Sequence, residues 1–336
     1  MKEFMEHTFA RSVSTAERCH RLLGTLDRED VLGIAIVADP DAMASAMALK
    51  RIFWRKVRHV EIFHVNPIRR ADNLAFVRLL KVGMRPWSRA RSTPVTRWAI
   101  LDSQPDHHEA FAGREFDIII DHHPPPKQMR ARYVDIREDY GANATIMTEY
   151  LRALKVRPSS TLATALFYGI KTDTDNFVRD ALANDVNAFR YLYRFANMNT
   201  VKKIESSEIT RHTLDSYRTA MERLVLVRDI AFVHMGEIQE TDTLVLIADF
   251  FMKMAEASWS IVSGIYKDKL VVILRNAGIR GDAGKAAKRL FGAWGGQAGG
   301  HRAAARAEVP LENLPRAKAT DEDVGRIILR RLKTAR

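Results

Sequence analysis

Short apolar runs closed by polar turns punctuate the first half of the chain. Val31 to Ala38 is a near-continuous apolar run of strand length, the kind buried on both faces of a parallel sheet. Trp98-Ala99-Ile100-Leu101 and Phe116-Asp117-Ile118-Ile119-Ile120 repeat the pattern, and residues 60–64 make a further strand. Helical spacing fills the gaps: about 14–26, with Ser14 or Thr15 as N-cap, a small apolar stretch over 42–49 suited to packing tightly on a sheet, and 73–80. Further helices are predicted over about 143–154 and 161–170, the latter apolar enough to be buried and opening into a charged loop that carries Asp173. Strands separated by crossover-length sequence predict an α/β fold with a parallel sheet.

Three of these strands end in carboxylates. Asp39 and Asp41 follow the first, Asp102 the second, and Asp121 the third, with His122 and His123 beside it and Pro124-Pro125-Pro126 beyond. Parallel strands deliver their ends to one edge, where open α/β sheets keep their ligands. Each carboxylate alone reads as a cap or turn residue. Together with two imidazoles they call for a cation, and Asp173 is placed to reach the same edge.

The second half differs. Residues from about 180 to 223 are polar, helical in pattern and poor in Gly and Pro, as a connector would be. Strands are predicted over 230–234, 243–247, 259–266 and 270–274, with Lys267-Asp268-Lys269 as a hairpin turn, then a helix over about 282–291. Five glycines in the nine residues Gly292 to Gly300 free the backbone to approach an anion, and Arg275, Arg302 and Arg306 offer guanidinium groups. Gly281-Asp282-Ala283-Gly284-Lys285 hints at a phosphate loop, but Ala286 stands where a hydroxyl is needed and the glycine spacing is wrong. No Gly-x-Gly-x-x-Gly follows the first strand. The expected division is a catalytic domain over 1–190, a helical connector over 191–224 and a substrate-binding domain over 225–336.

Length and composition narrow the class. A chain of 336 residues has room for two cores, and 46% hydrophobic with 28% charged residues excludes disordered and collagen-like readings. Fifty-three Lys and Arg against 41 Asp and Glu give a net charge of +12, which favours polyanions such as nucleotides and nucleic acids, with a solvated basic surface as the plain alternative. The single cysteine, Cys19, forms no intrachain disulfide, the first residues lack a secretion-signal pattern, and the apolar runs are too short to span a bilayer. A cytoplasmic protein without a membrane partner is expected.

Five segments in order carry a family resemblance: Asp39-Pro40-Asp41-Ala42-Met43-Ala44-Ser45, Leu101-Asp102-Ser103-Gln104-Pro105, Asp121-His122-His123, Gly169-Ile170-Lys171-Thr172-Asp173-Thr174, and Gly299-Gly300-His301-Arg302-Ala303-Ala304-Ala305. The chain resembles the DHH phosphoesterases, within them the RecJ-like nanoRNase and pAp phosphatase group that joins a DHH domain to a DHH-associated domain. The resemblance implies a parallel-sheet α/β domain plus a smaller α/β domain with a cleft between them, and one or two ions, manganese or alternatively magnesium. Carried over by residue, Asp41, Asp102, His122 and Asp173 hold one ion, Asp102 bridges, and Asp39 helps hold the other. His123 and Asp121 are the catalytic pair, His123 facing the scissile phosphate, while Arg275, Gly299, Gly300, His301 and Arg302 grip the substrate.

Three positions depart from the family pattern. Ala35 stands where a metal-binding His is usual, Arg306 replaces a Gly, and Asp175 replaces another. His64, His107 and His108 are candidates to compensate, each read more readily as a loop histidine. The implied activity is hydrolysis of a small nucleotide, such as 3′-phosphoadenosine 5′-phosphate, or of very short RNA or DNA by metal-activated water, with a homodimer as a further expectation. Two rivals stay open: a single-strand exonuclease, which would want aromatic platforms where the five Trp are scattered, and a nucleotide- or RNA-binding regulator that has lost turnover with the His at 35.

Overall fold

Strand β1 (Val31–Ile36) is buried along its whole length because its two faces meet different cores. Its side chains alternate with the period of two that a strand imposes. Leu32, Ile34 and Ile36 join Ala99, Leu101, Ile118 and Ile120 in a core against helices, while Ala35 joins Trp98, Ile100 and Ile119 in a cluster with Phe63, Phe111 and Phe116. The computed structural model describes residues 13–126, 129–178, 181–207, 211–277, 281–315 and 321–334. It divides into two units, Met1–Glu208 and Ile209–Arg336.

The first unit runs α1 (Thr15–Leu23), β1, α2 (Pro40–Ile52), β2 (His59–His64), α3 (Ala71–Leu80), β3 (Arg85–Pro86), β4 (Arg97–Leu101), β5 (Ile118–Asp121), β6 (Tyr133–Ile136), α4 (Asn143–Ala153), α5 (Ser160–Asp173), α6 (Ala183–Tyr193) and α7 (Met198–Glu205). Its sheet is parallel throughout, in the order β3-β2-β1-β4-β5-β6. The order reverses between β1 and β4, so a crevice opens beyond their carboxyl ends. Asp39 follows β1 and Asp102 follows β4, one on each side of it.

The second unit runs α8 (Arg211–Glu222), β7 (Val225–Val227), β8 (Ile230–Glu237), α9 (Asp242–Phe251), β9 (Trp259–Tyr266), β10 (Lys269–Asn276), α10 (Ala283–Phe291), β11 (Gln297–Gly300), β12 (Ala304–Pro310) and α11 (Asp321–Thr334). Its mixed sheet has the order β11-β12-β10-β9-β8-β7, with β8 and β9 parallel. The strand expected over 243–247 is instead α9. Leu244, Ile247, Ala248 and Phe251 are buried at helical spacing, and a parallel pair such as β8 and β9 requires a crossover element. Among the described residues of 191–224 lie the end of α6, α7 and α8, and the division into units falls between α7 and α8. Among the described residues, no helix is long and apolar enough to cross a membrane.

Candidate metal centre

Helix α2 begins at the crevice. Asp39 caps it, its Oδ1 accepting from Ala42 N at 2.9 Å, and Pro40 takes the first helical position. Asp41, one residue inside, is buried, and its two oxygens accept from Asn143 N at 2.6 Å and Ala144 N at 2.7 Å, the first amides of α4. Helix α5 presses on the same place through Gly169. A Cβ there would lie 3.1 Å from Asp41 Cα and 3.3 Å from its Oδ1, so glycine lets the two helices close on the carboxylate. Asp173 is the last residue of α5, in its final turn and not in a following loop as its polar neighbours suggest.

Asp102 sits directly after β4 with φ at +54°, a left-handed backbone that costs a non-glycine residue energy and recurs at functional sites. Asp121 ends β5 with no exposed surface. Its oxygens receive Gln104 Nε2 at 2.6 Å, His122 N at 2.8 Å and His123 Nδ1 at 2.9 Å. Burial works to raise this carboxyl, but the His123 and Gln104 hydrogen bonds and the imidazole charges prevail and hold it below its usual range. Asp121 therefore orients His123 and the start of the turn.

His122 is the hub. Its Nε2 lies 3.1 Å from Asp102 Oδ1 and 3.1 Å from Asp173 Oδ2, and its Nδ1 lies 3.0 Å from the Tyr140 carbonyl. A carbonyl only accepts, so Nδ1 carries the proton and Nε2 is the ring nitrogen left to face a cation. Two overlapping groups have donor atoms within 4.8 Å of one another: Asp41, His122 and Asp173, and Asp102, Asp121, His122 and His123. Asp102 Oδ1 and His122 Nε2 are both buried with no hydrogen-bond partner, an arrangement that a shared cation resolves. The residues present fit a divalent ion.

Without a cation, the charges of this cluster fight one another. Asp39 is an exposed residue, yet its crowded surroundings, then the Asp173 charge, push its carboxyl up to about 6. Asp41 and Asp102 stand well above their usual range, first from burial and then from neighbouring carboxylates. Burial opposes a charge on His122, but the Asp102 and Asp173 carboxylates facing its Nε2 outweigh it and raise the imidazole.

The positions that depart from the family pattern have structural explanations. Ala35 is fully buried in the aromatic cluster, level with Phe63 on β2 and Ile100 on β4. His64 Nδ1 bonds the Asn66 carbonyl at 2.8 Å, and His108 Nδ1 accepts from Ala110 N at 3.1 Å. His107 lies edge-on to His123, ring centroids 5.5 Å apart. Asp175 has φ at +47°, followed by Asn176 and Phe177 at +57° and +67°, a left-handed run in which glycine would be at ease. Arg306 on β12 pairs with Glu308, Nε to Oε1 at 3.0 Å.

In the second unit, Arg275 Nε is held by Asp249 Oδ1 at 2.6 Å. Gly299 and Gly300 end β11, and the exposed His301 and Arg302 form the turn into β12. Their carbonyls accept from Gly284 N at 3.0 Å and Ala283 N at 2.8 Å at the start of α10. These amides are thus committed to the turn, and Asp282 is the helix cap in what the sequence offers as a phosphate loop. Arg302 also borders a groove of about 560 Å³ with Trp259, Asp282, Lys285 and Arg289. The sequence pattern does not single out Gln104 or the Tyr140 carbonyl. The first stands inside a motif segment, whereas the second is backbone and leaves no mark on sequence.

Residues 34–170 match the model of the DHH family, N-terminal domain. The chain therefore carries a DHH-family N-terminal domain over that segment. An uncharacterized protein of Methanocaldococcus jannaschii is 35% identical over 274 residues, which are 81% of this chain and 56% of that relative, so the chain spans little more than half of the relative's length. An exopolyphosphatase-related protein from Bacteroides fragilis shares the fold, with a TM-score of 0.76 at 13% identity over 97% of this chain and 98% of that one. Exonuclease RecJ bound to manganese aligns with a TM-score of 0.50 at 13% identity over 94% and 96%. DHH-family members are metal-dependent hydrolases, and the cluster of carboxylates and imidazoles described above lies inside or next to the matched segment.

Proposed function

We propose that this chain is a metal-dependent phosphoesterase acting on small nucleotides or very short oligonucleotides, of which 3′-phosphoadenosine 5′-phosphate and di- to pentanucleotides are the models. The observation that carries this is the pair of orphaned buried atoms, Asp102 Oδ1 and His122 Nε2, flanked by Asp41 and Asp173. Carboxylates with one imidazole suit manganese or magnesium. When bound, such an ion polarises the phosphoryl group and makes water nucleophilic near neutral pH. Asp41, Asp102, His122 and Asp173 hold it, and Asp39 supports a second ion if one binds.

His123 is fixed through Nδ1 by Asp121, so Nε2 is the ring atom that acts on a phosphoryl oxygen. Arg275, His301 and Arg302, with the backbone of Gly299 and Gly300, bind the substrate's phosphate and sugar groups, and the +12 charge draws polyanions in. The test is product release from those substrates with manganese, beside Asp173→Ala. Metal-dependent turnover lost in the variant is expected. Substrate binding without turnover, equal in both proteins, overturns the proposal and favours the second reading, a nucleotide-binding regulator, which the apolar packing of Ala35 supports. Activity that rises with strand length favours a single-strand exonuclease.

A further inference from the structure

Behind His122 lies a set of polar side chains that the motifs do not include. Asp185, in the first turn of α6, has no exposed surface, and its carboxylate accepts from Leu182 N at 2.7 Å, Thr145 Oγ1 at 2.6 Å and Gly141 N at 3.0 Å. Gly141 N belongs to the same peptide group as the Tyr140 carbonyl that receives His122 Nδ1–H. One peptide therefore bridges the Asp185 carboxylate to the imidazole. A carboxylate on its N–H side makes its oxygen a stronger acceptor.

The neighbouring side chains lock the same turn. Asn184 Nδ2 donates to Tyr140 Oη and Glu149 Oε1, each at 2.8 Å. Arg137 Nη1 reaches Glu149 Oε2 at 2.6 Å and Tyr140 Oη at 3.1 Å. The Tyr140 ring and the Gly141 amide are thus both fastened to the start of α6.

We propose that Asp185 is a positioning residue for the metal ligand His122, acting through the 140–141 peptide, with Asn184 as its support. Resting on the cation-binding role proposed above, it adds that Nε2 is aimed and made more basic from behind, by residues that touch neither ion nor substrate. Partners of this kind typically change metal affinity about 10- to 100-fold.

The test is manganese titration of the full chain, wild type beside Asp185→Asn and Asn184→Ala, together with the His122 Nδ1–H proton followed by NMR in metal-free protein. Asp185→Asn is expected to weaken manganese binding about 10- to 100-fold and to speed exchange of that ring proton while the chain stays folded. Asn184→Ala, less buried, is expected to act in the same direction and keeps the question open to test if Asp185→Asn fails to fold. A folded variant with affinity within twofold of wild type and an unchanged ring proton overturns the proposal. Wild type that binds no manganese overturns the metal-dependent function instead, while the ring proton still reports on Asp185.

Discussion

Asp102 Oδ1 and His122 Nε2 stand 3.1 Å apart, both buried and neither hydrogen-bonded. With Asp39 and Asp41 near, the metal-free chain holds protons that the unfolded chain would release. Carboxyls raised on folding contribute stability that is lost as pH climbs from about 4, through about 6 for Asp39, with Asp41 and Asp102 raised in the same direction. The raised His122 has the same sign, its contribution fading as pH passes about 6.5 and beyond. Asp121, lowered, opposes them only near and below about 4. The melting temperature of metal-free protein is therefore expected to fall between pH 5 and pH 8, and saturating manganese to restore it with release of protons. A metal-free melting temperature that rises over this range contradicts the assignment.

Gly169 closes α5 on Asp41, and alanine there must push one of them aside. Gly169→Ala is expected to cost about 1–3 kcal/mol of stability by overpacking and to weaken manganese binding at least tenfold. Denaturant titration and calorimetry check both. Loss of stability with unchanged affinity would show that Asp41 is not a ligand.

Gln104 donates to Asp121 at 2.6 Å and to the His123 carbonyl at 3.1 Å. Gln104→Leu removes these bonds and leaves buried acceptors bare, at about 1–3 kcal/mol. The expected kinetic signature is a fall in kcat of tenfold or more with KM nearly unchanged, because His123 loses its orientation and substrate binding does not. A change in KM alone would place Gln104 elsewhere in the mechanism.

Asp39 both caps α2 and faces the crevice. Asn keeps the cap, so Asp39→Asn is expected to hold the wild-type melting temperature but lose at least a hundredfold in turnover, whereas Asp39→Ala also loses about 0.5–2 kcal/mol. Full activity in the Asn variant would reduce Asp39 to a cap.

The Gly-Gly-His turn rests on Gly284, whose place for a Cβ lies 2.3 Å from the Gly300 carbonyl oxygen. Gly284→Ala must shift that turn, and the expected result is a raised KM for nucleotide with manganese affinity within twofold of wild type. Steady-state kinetics and calorimetry separate the two.

Much of this arrangement is legible because parallel strands buried on both faces leave near-continuous apolar runs that stop abruptly at Asp39, Asp102 and Asp121. Helix α9 is not, since Thr243 to Ile247 is apolar without a period, and the helical spacing shows only when Ala248 and Phe251 are added. Strand β12 was missed because its buried face is Ala305, Ala307 and Val309, two of them too small to mark a strand. Asp173 reads as a loop residue in the sequence because the last turn of α5 is polar. The Tyr140 carbonyl and the bridging peptide behind it are backbone groups, on which side-chain patterns are silent.

The most direct measurement is manganese binding followed by electron paramagnetic resonance in wild type, His122→Ala and Asp173→Ala. The predicted result is saturable binding by the wild-type chain, weakened at least a hundredfold in both variants. No saturable binding by wild type, or equal binding by all three, contradicts a cation held by Asp41, Asp102, His122 and Asp173.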